Sequence, residues 1–182
     1  MSDDLSPTSY AVLGLLTFGE SSGYDLLKFV ERSIGHFWSP AKSHLYSELK
    51  RLSSRGLVTE ALVEQDSRPH KRVYALTEEG EQVLKKWLAE SEAVPDQVKS
   101  LFTLRVFFGD LVPREVLIAQ FEAVRDRAQS ALDELVETEK QIKDEPRLFF
   151  PYLTLKAGLA HSRAEIEWAD DALATLREEI KT

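Results

Sequence analysis

Five polar side chains fall within nine residues of this chain, and their types match the chemistry of nucleic-acid recognition. They are Lys42, Ser43, Tyr46, Ser47 and Lys50. Lysine ammonium groups pair with backbone phosphates and set the register of a protein on a duplex. Serine and tyrosine hydroxyls can hydrogen-bond to the edges of bases. Presented together on one helix, this set predicts a surface that binds double-stranded DNA.

The periodicity around these residues predicts the helix that carries them. Its apolar face is formed by leucines spaced four and three residues apart, at Leu45, Leu49 and Leu52. Ser39 is a candidate N-cap, and Pro40 suits the first helical position, where its missing N–H costs nothing. Gly56 follows the last turn, where a left-handed residue commonly ends a helix. Near that end, Arg51 and Arg55 are expected to stabilise the helix dipole rather than to contact DNA.

A β-hairpin is predicted directly after this helix. Residues 57–63 and 71–77 mix β-branched and aliphatic side chains, as strands do, and the segment QDSRPH separates them. A helix followed by such a hairpin is typical of a winged helix-turn-helix. Side chains at and beside the tip are further candidates for contact with the DNA backbone or minor groove: Arg68, His70, Lys71 and Arg72. The alternative, an ordinary charged hairpin, stays open.

The charge distribution qualifies the acidic total. The net charge is −8, which is unusual for a nucleic-acid binder. Residues 39–72, however, carry seven basic against four acidic side chains, so positive charge is concentrated on the predicted helix and hairpin.

The sequence does not indicate catalytic chemistry. There is no cysteine, which excludes disulfides, thiolate nucleophiles and cysteine-ligated zinc. The four histidines show no metal-ligand spacing, and no glycine-rich phosphate loop or G-x-S-x-G elbow occurs. His161 and Glu165 lie one turn apart, but two ligands do not define a metal site. We predict a protein that is not an enzyme and uses no metal or other cofactor.

Two helices are expected before residue 39. The apolar run YAVLGLL at 10–16 predicts a buried helix, with Thr8 or Ser9 as its cap. Ser22 with Asp25 three residues later approximates a capping box and begins the second helix.

One further helix is expected after the hairpin. Thr77 is its candidate N-cap, followed by an acidic first turn that suits the helix dipole. Its buried stripe is predicted to be Leu84, Trp87 and Leu88.

Heptad spacing dominates the second half of the chain. After a short helix at 98–108, one long helix is predicted from Pro113 to about Asp144, and a last one begins after Pro151. In the last helix the repeat consists of Tyr152, Leu159, Ile166, Leu173 and Ile180, with Leu155, Ala169 and Leu176 on the companion positions. Two such helices predict an antiparallel hairpin. Because one hairpin buries only a narrow stripe, we expect it to pack against a second copy and form a homodimer.

These elements define a mainly α fold with a small β-hairpin wing. We expect a winged helix-turn-helix domain over 1–92 and a helical, coiled-coil-like dimerisation domain over 93–182. The N-terminus has no hydrophobic signal core, and the longest apolar run, 10–16, is far shorter than the roughly 20 residues that span a bilayer. We therefore expect a cytoplasmic protein without a membrane partner.

Five segments in order resemble the PadR family of transcriptional regulators, in the longer subfamily with a helical C-terminal domain. They are YAVLGLL, SGYDLL, FWSPAKSHLYSELKRLSSRGLV, KRVYALTEEGEQVL and, in the last helix, GLAHSRAEIEWADDALATL. The resemblance covers nearly the whole chain and includes Trp168. The tip sequence Asp66-Ser-Arg-Pro-His70 departs from the Gly- and Pro-rich tip that is more usual in the family.

The resemblance implies a dimeric repressor that binds a palindromic operator and releases it when a small phenolic or hydrophobic effector binds. Aromatic residues such as Trp38, Trp87 and Trp168 could line an effector cavity, but such residues are more often part of a core or an interface, so no pocket residue is predicted. The main alternative is a winged-helix interaction or sensor module without direct DNA binding, which the acidic total favours. An activator of the same architecture is a third possibility.

Overall fold

The computed structural model describes residues 5–35, 37–63, 71–90 and 99–178. The chain divides into two compact units, Met1–Pro95 and Asp96–Thr182. Arg68 and His70, both candidates for DNA contact, and Ile180 of the heptad series lie outside the described residues.

The first unit is a winged helix-turn-helix. Its elements in chain order are α1 (Pro7–Leu16), β1 (Ser21–Ser22), α2 (Gly23–Arg32), α3 (Lys42–Ser54), β2 (Val58–Val63), β3 (Lys71–Leu76) and α4 (Glu78–Glu90). The strands form an antiparallel sheet in the order β1-β3-β2, with Val58 opposite Leu76 and Ser21 opposite Tyr74. The predicted hairpin is confirmed. The short strand β1, which makes β3 central, was not predicted.

The core of this unit is built around α3. Leu45, Leu49 and Leu52 are each 0% exposed, which confirms the apolar face that their spacing predicts. They pack with Leu13 of α1 and Leu26 of α2 in one apolar cluster. Burial of these side chains, at about 1.5–3 kcal/mol each, holds α3 in place and leaves its other faces for solvent or a ligand.

The predicted helix caps at Ser22, Thr77 and Gly56 are present in the structure, and each depends on one local motif. The Ser22 hydroxyl accepts from the Asp25 N–H at 3.2 Å, and the Thr77 hydroxyl accepts from the Gly80 N–H at 3.0 Å. Gly56 has a φ of 72°, and the Leu57 N–H donates to the Leu52 carbonyl at 3.0 Å across it. This bond is typical of a Schellman C-cap.

Two predicted starts are wrong. α1 begins at Pro7 with Ser6 as its N-cap, so Thr8 and Ser9 lie inside the helix and are buried. α3 begins at Lys42 after Ala41, whose ψ of 142° keeps the chain extended past Ser39-Pro40. Neither residue therefore caps α3, and that helix starts without a side-chain cap.

The predicted buried stripe of α4 is only partly correct. Leu84 is 6% exposed, but Leu88 is 65% exposed. Trp87 is partly exposed and stacks on Tyr10 of α1, with ring centroids 4.4 Å apart. The α4 helix is thus anchored by its first half and by one stacked ring.

The second unit is a helical hairpin. It comprises α5 (Leu101–Phe107), α6 (Arg114–Ile142) and α7 (Phe149–Glu178). Pro151 lies inside the first turn of α7 rather than before it. Cross-helix pairs show that α6 and α7 are antiparallel: Tyr152 donates to Glu139 at 3.2 Å, Arg127 lies 3.7 Å from Glu165, and Arg177 lies 2.6 Å from Glu122.

The heptad positions form much of the core of this hairpin. The most buried side chains are Leu117, Phe121, Val124, Ala128, Leu155, Leu159, Ser162, Ala169 and Leu173. Ser162 is the polar residue at heptad spacing between Leu155 and Ala169. It is 6% exposed, so it is buried like its apolar neighbours in the repeat.

Candidate nucleic-acid interface

The polar residues of α3 form the predicted exposed face. Lys42, Ser43, Ser47 and Lys50 are exposed, and Tyr46 is half-buried. Within the described residues, Lys42 and Lys50 make no hydrogen bond or ion pair. Two ammonium groups about two helical turns apart are therefore free to meet an anionic partner.

Tyr46 has a defined position because α2 begins with a glycine. A Cβ added at Gly23 would lie 2.5 Å from Cε1 of Tyr46, so the ring occupies the space a side chain would need. Ser47 is less available, since its hydroxyl donates to the His44 carbonyl at 2.8 Å. Ser47 therefore has only its oxygen lone pairs to offer a base.

A buried polar network joins α3 to α1, and sequence reasoning missed it. Glu48 is 7% exposed and accepts from the Ser9 hydroxyl and from Nε of Arg51, the latter at 3.0 Å. Arg51 also donates to the Ser9 hydroxyl at 2.7 Å. This confirms a structural role for Arg51, though in pairing rather than through the helix dipole. A serine directly before an apolar run and a glutamate beside leucines at helical spacing were the available signals.

We expect Glu48→Ala to lower the free energy of unfolding by about 2 kcal/mol, because it leaves Ser9 without its acceptor and Arg51 without its carboxylate partner. The loss in free energy of unfolding is limited because the Arg51 side chain is 40% exposed and water can solvate its charge. Urea denaturation of the full chain measures this change.

The matched control is Glu31→Ala. Glu31 makes an ion pair of the same i,i+3 type with Lys28, but both of its side chains are exposed. That variant should cost less than about 0.5 kcal/mol. Equal costs for the two variants would show that the buried network contributes nothing.

The described wing residues lie beside α3. Lys71 and Arg72 open β3 and are exposed. Nζ of Lys71 is 3.5 Å from Oδ2 of Asp25, and Arg72 pairs with Glu60 on the neighbouring strand. Both cations therefore have carboxylate partners, unlike Lys42 and Lys50.

Asp25 occupies the first turn of α2. The hydroxyl of Ser22 donates to its carboxylate at 2.7 Å. This hydrogen bond, together with Lys71, holds the pKa of Asp25 below its usual value. The carboxylate is therefore charged at neutral pH and keeps Lys71 at the edge of α2.

Metal binding and membrane insertion can be judged for the described residues. No group of three or more histidine and acidic side chains in the described ranges could hold a metal ion, and Glu165 pairs with Arg127. None of the described helices has the length and apolar character needed to cross a membrane. Trp168 packs edge-on against Phe121 at 5.1 Å in the core of the second unit.

Two protein-family models match the chain. The model described as "Transcriptional regulator PadR-like family" matches residues 12–86, and "Virulence activator alpha C-term" matches residues 98–177. The negative transcriptional regulator PadR of Bacillus subtilis (strain 168) is 32% identical over 174 residues, which is 92% of this chain and 96% of the relative.

Two crystal structures of that relative are similar to this chain. One holds Bacillus subtilis PadR in complex with operator DNA, with a TM-score of 0.82, 31% identity and coverage of 92% of this chain and 98% of that chain. The other holds it in complex with p-coumaric acid, with a TM-score of 0.73, 28% identity and coverage of 96% and 99%.

Proposed function

The chain belongs to the PadR-like family of transcriptional regulators, and from this premise we propose that it represses transcription by binding a palindromic operator as a homodimer. The observation that carries the proposal is the exposed face of α3, where Lys42 and Lys50 have no partner in the described part of the chain. The relative that is 32% identical has been crystallised on operator DNA, which supports the same use of this face.

In this proposal α3 enters the major groove. Its exposed face supplies the contacts, from Lys42, Ser43, Tyr46, Ser47 and Lys50. Lysines hold phosphates, whereas hydroxyls offer hydrogen bonds to bases. The wing supplies Lys71 and Arg72, together with Arg68 and His70 from outside the described residues. Residues 1–92 serve as the DNA-binding domain, and two copies of α3 lie about one helical turn of DNA apart.

Residues 93–182 form the proposed dimerisation domain. Its short helix α5 and the turn after it present large apolar side chains that a single chain leaves exposed by 54–83%: Leu101, Leu104, Phe107, Phe108 and Leu111. Contiguous apolar surface of this kind marks an interaction site on a soluble protein. A second copy of the chain is the occupant that an operator-binding dimer requires.

We expect Leu111→Glu to weaken dimerisation at least about tenfold, because each dimer would bury two unpaired carboxylates. Leu111 is 83% exposed in the single chain, so the folded protomer should tolerate the change. Sedimentation equilibrium over a range of protein concentrations measures the dissociation constant. Leu62→Glu, on the exposed side of β2, is the matched control and should leave the constant unchanged. A wild-type protein that is monomeric at micromolar concentration contradicts the dimer.

A small phenolic or hydrophobic molecule is the proposed effector, since the relative has been crystallised with p-coumaric acid. That relative is named a negative transcriptional regulator, which supports repression. The match of residues 98–177 to a virulence-activator model favours activation as the alternative, because the sign of regulation depends on where the operator lies. The proposal includes no catalytic activity, and it places the protein in the cytoplasm with its DNA.

Selection of duplexes from a random pool by the purified full-length protein tests DNA binding. We expect enrichment of one palindromic sequence, bound with an affinity that falls steeply as salt rises. Failure to enrich any sequence would instead favour the interaction module without DNA binding, which the net charge of −8 suggests. Addition of p-coumaric acid to the bound duplex tests effector release.

A further inference from the structure

A recess of about 530 Å³ opens beside α3, between the start of α2 and the strand β3. Cationic and phenolic side chains dominate its lining: Tyr24, Tyr46, Lys50, Lys71, Arg72 and Tyr74. None of its lining residues is acidic. Three positive charges and three phenol hydroxyls around one small space make it suitable for an anion.

Two of these hydroxyls and one ammonium group have no partner. Within the described residues, Tyr46 Oη, Tyr74 Oη and Lys50 Nζ make no hydrogen bond or ion pair. Tyr74 as a whole is only 4% exposed, so its ring is held in the sheet, and the residue lines the recess. Burial also raises the pKa of Tyr74, so its hydroxyl stays protonated and can donate. Three unused donors therefore line the same recess.

The carboxylates nearby are already engaged. Asp25 accepts from Ser22 and lies 3.5 Å from Lys71, and Glu60 pairs with Arg72. Lys50 has no such counter-ion among the residues that the structure describes. No carboxylate among the lining residues is therefore available to Lys50, and a small anion from outside the chain suits the recess.

We propose that this recess binds one backbone phosphodiester group of the operator DNA in each protomer, with Lys50 as its cation and the hydroxyls of Tyr46 and Tyr74 as hydrogen-bond donors. The inference rests on the proposed DNA binding and adds Tyr74, a residue of the sheet, to the interface. It assigns Tyr46 to the DNA backbone and leaves Ser43 and Ser47 as readers of bases. The site sets the register of α3 in the groove, because it holds one phosphate beside the helix.

Tyr74→Phe is the sharpest test, since it removes only an oxygen atom that has no partner in the described chain. We expect the selected duplex to bind at least about tenfold more weakly, because one hydrogen bond to a charged group is lost in each protomer. The loss should be similar for all duplex sequences, and the melting temperature should not change. Tyr152→Phe, which removes a tyrosine hydroxyl from the second unit, is the matched control and should leave affinity unchanged.

A duplex series with a neutral methylphosphonate at one position at a time locates the phosphate. Wild type should lose affinity at one symmetry-related pair of positions, and Lys50→Gln should remove that sensitivity. Lys50 is exposed and has no partner in the described ranges, so this variant keeps the test valid even if Tyr74→Phe disturbs folding. If wild type binds the selected duplex but Tyr74→Phe and Lys50→Gln bind it equally well, the recess is not a phosphate site although DNA binding stands. If wild type selects no duplex, both proposals fail.

Discussion

Replacing Lys42, Tyr46 and Lys50 together with alanine is expected to weaken operator binding by at least about 100-fold. The two lysines have no partner in the described residues, so their charges are available to phosphates. In a homodimer each substitution counts twice, and four phosphate contacts are lost. The slope of log affinity against log salt should therefore fall by about four. Fluorescence anisotropy of the selected duplex at several salt concentrations measures both quantities.

Lys85→Ala/Lys86→Ala is the matched control for charge. These lysines lie on α4, are exposed, and pair within their own helix with Glu81 and Glu90. The double variant changes the net charge as much as the triple one does, yet it should leave the salt slope unchanged. Equal losses for the two variants would mean that overall charge, and not the face of α3, governs binding.

Phe121→Ala is expected to lower the free energy of unfolding of the second unit by about 3–5 kcal/mol. Phe121 is 2% exposed, and its ring lies edge-on to Phe102 at 5.0 Å and to Trp168 at 5.1 Å. Removing it opens a cavity in the cluster that joins α5 to α6 and α7. Because the proposed dimer surface includes α5, the variant should also dissociate more readily and bind DNA more weakly. Urea denaturation and sedimentation equilibrium measure the two effects.

Phe150→Ala provides the comparison within the same unit. Phe150 is 75% exposed at the start of α7, so its loss should cost the folded chain less than about 1 kcal/mol. Phe121→Leu keeps most of the buried volume, so its loss in free energy of unfolding should lie between those of Phe121→Ala and Phe150→Ala. A Phe121→Ala variant as stable as Phe150→Ala would show that the three-ring cluster does not hold the second unit together.

Periodic and local signals in the sequence predicted much of the fold. The leucines of α3 recur at helical spacing, and this repeat reports which face is buried whatever the neighbouring element is. Ser22, Thr77 and Gly56 each act on backbone groups within five residues, so their roles can be read from the adjacent sequence.

Packing between distant elements determined the N-cap of α1 and the strand β1. The sequence predicted Thr8 or Ser9 as the cap of α1, and both lie inside the helix. Ser9 is committed to Glu48 of α3, 39 residues away, and the cap is therefore Ser6. The strand β1 is two residues long and has no signal of its own, since it exists only because β3 lies beside it.

The sequence by itself determined the winged helix, the helical hairpin and the polar residues of α3, because each depends on a repeat or motif within one segment. Only the tertiary structure decided which of those polar residues are left without partners, and that Tyr74 of the sheet meets Tyr46 and Lys50 of α3 in one recess. The physical reason is that periodicity specifies a face of one element. The partners across that face come from distant parts of the chain, and they are set by how the elements pack.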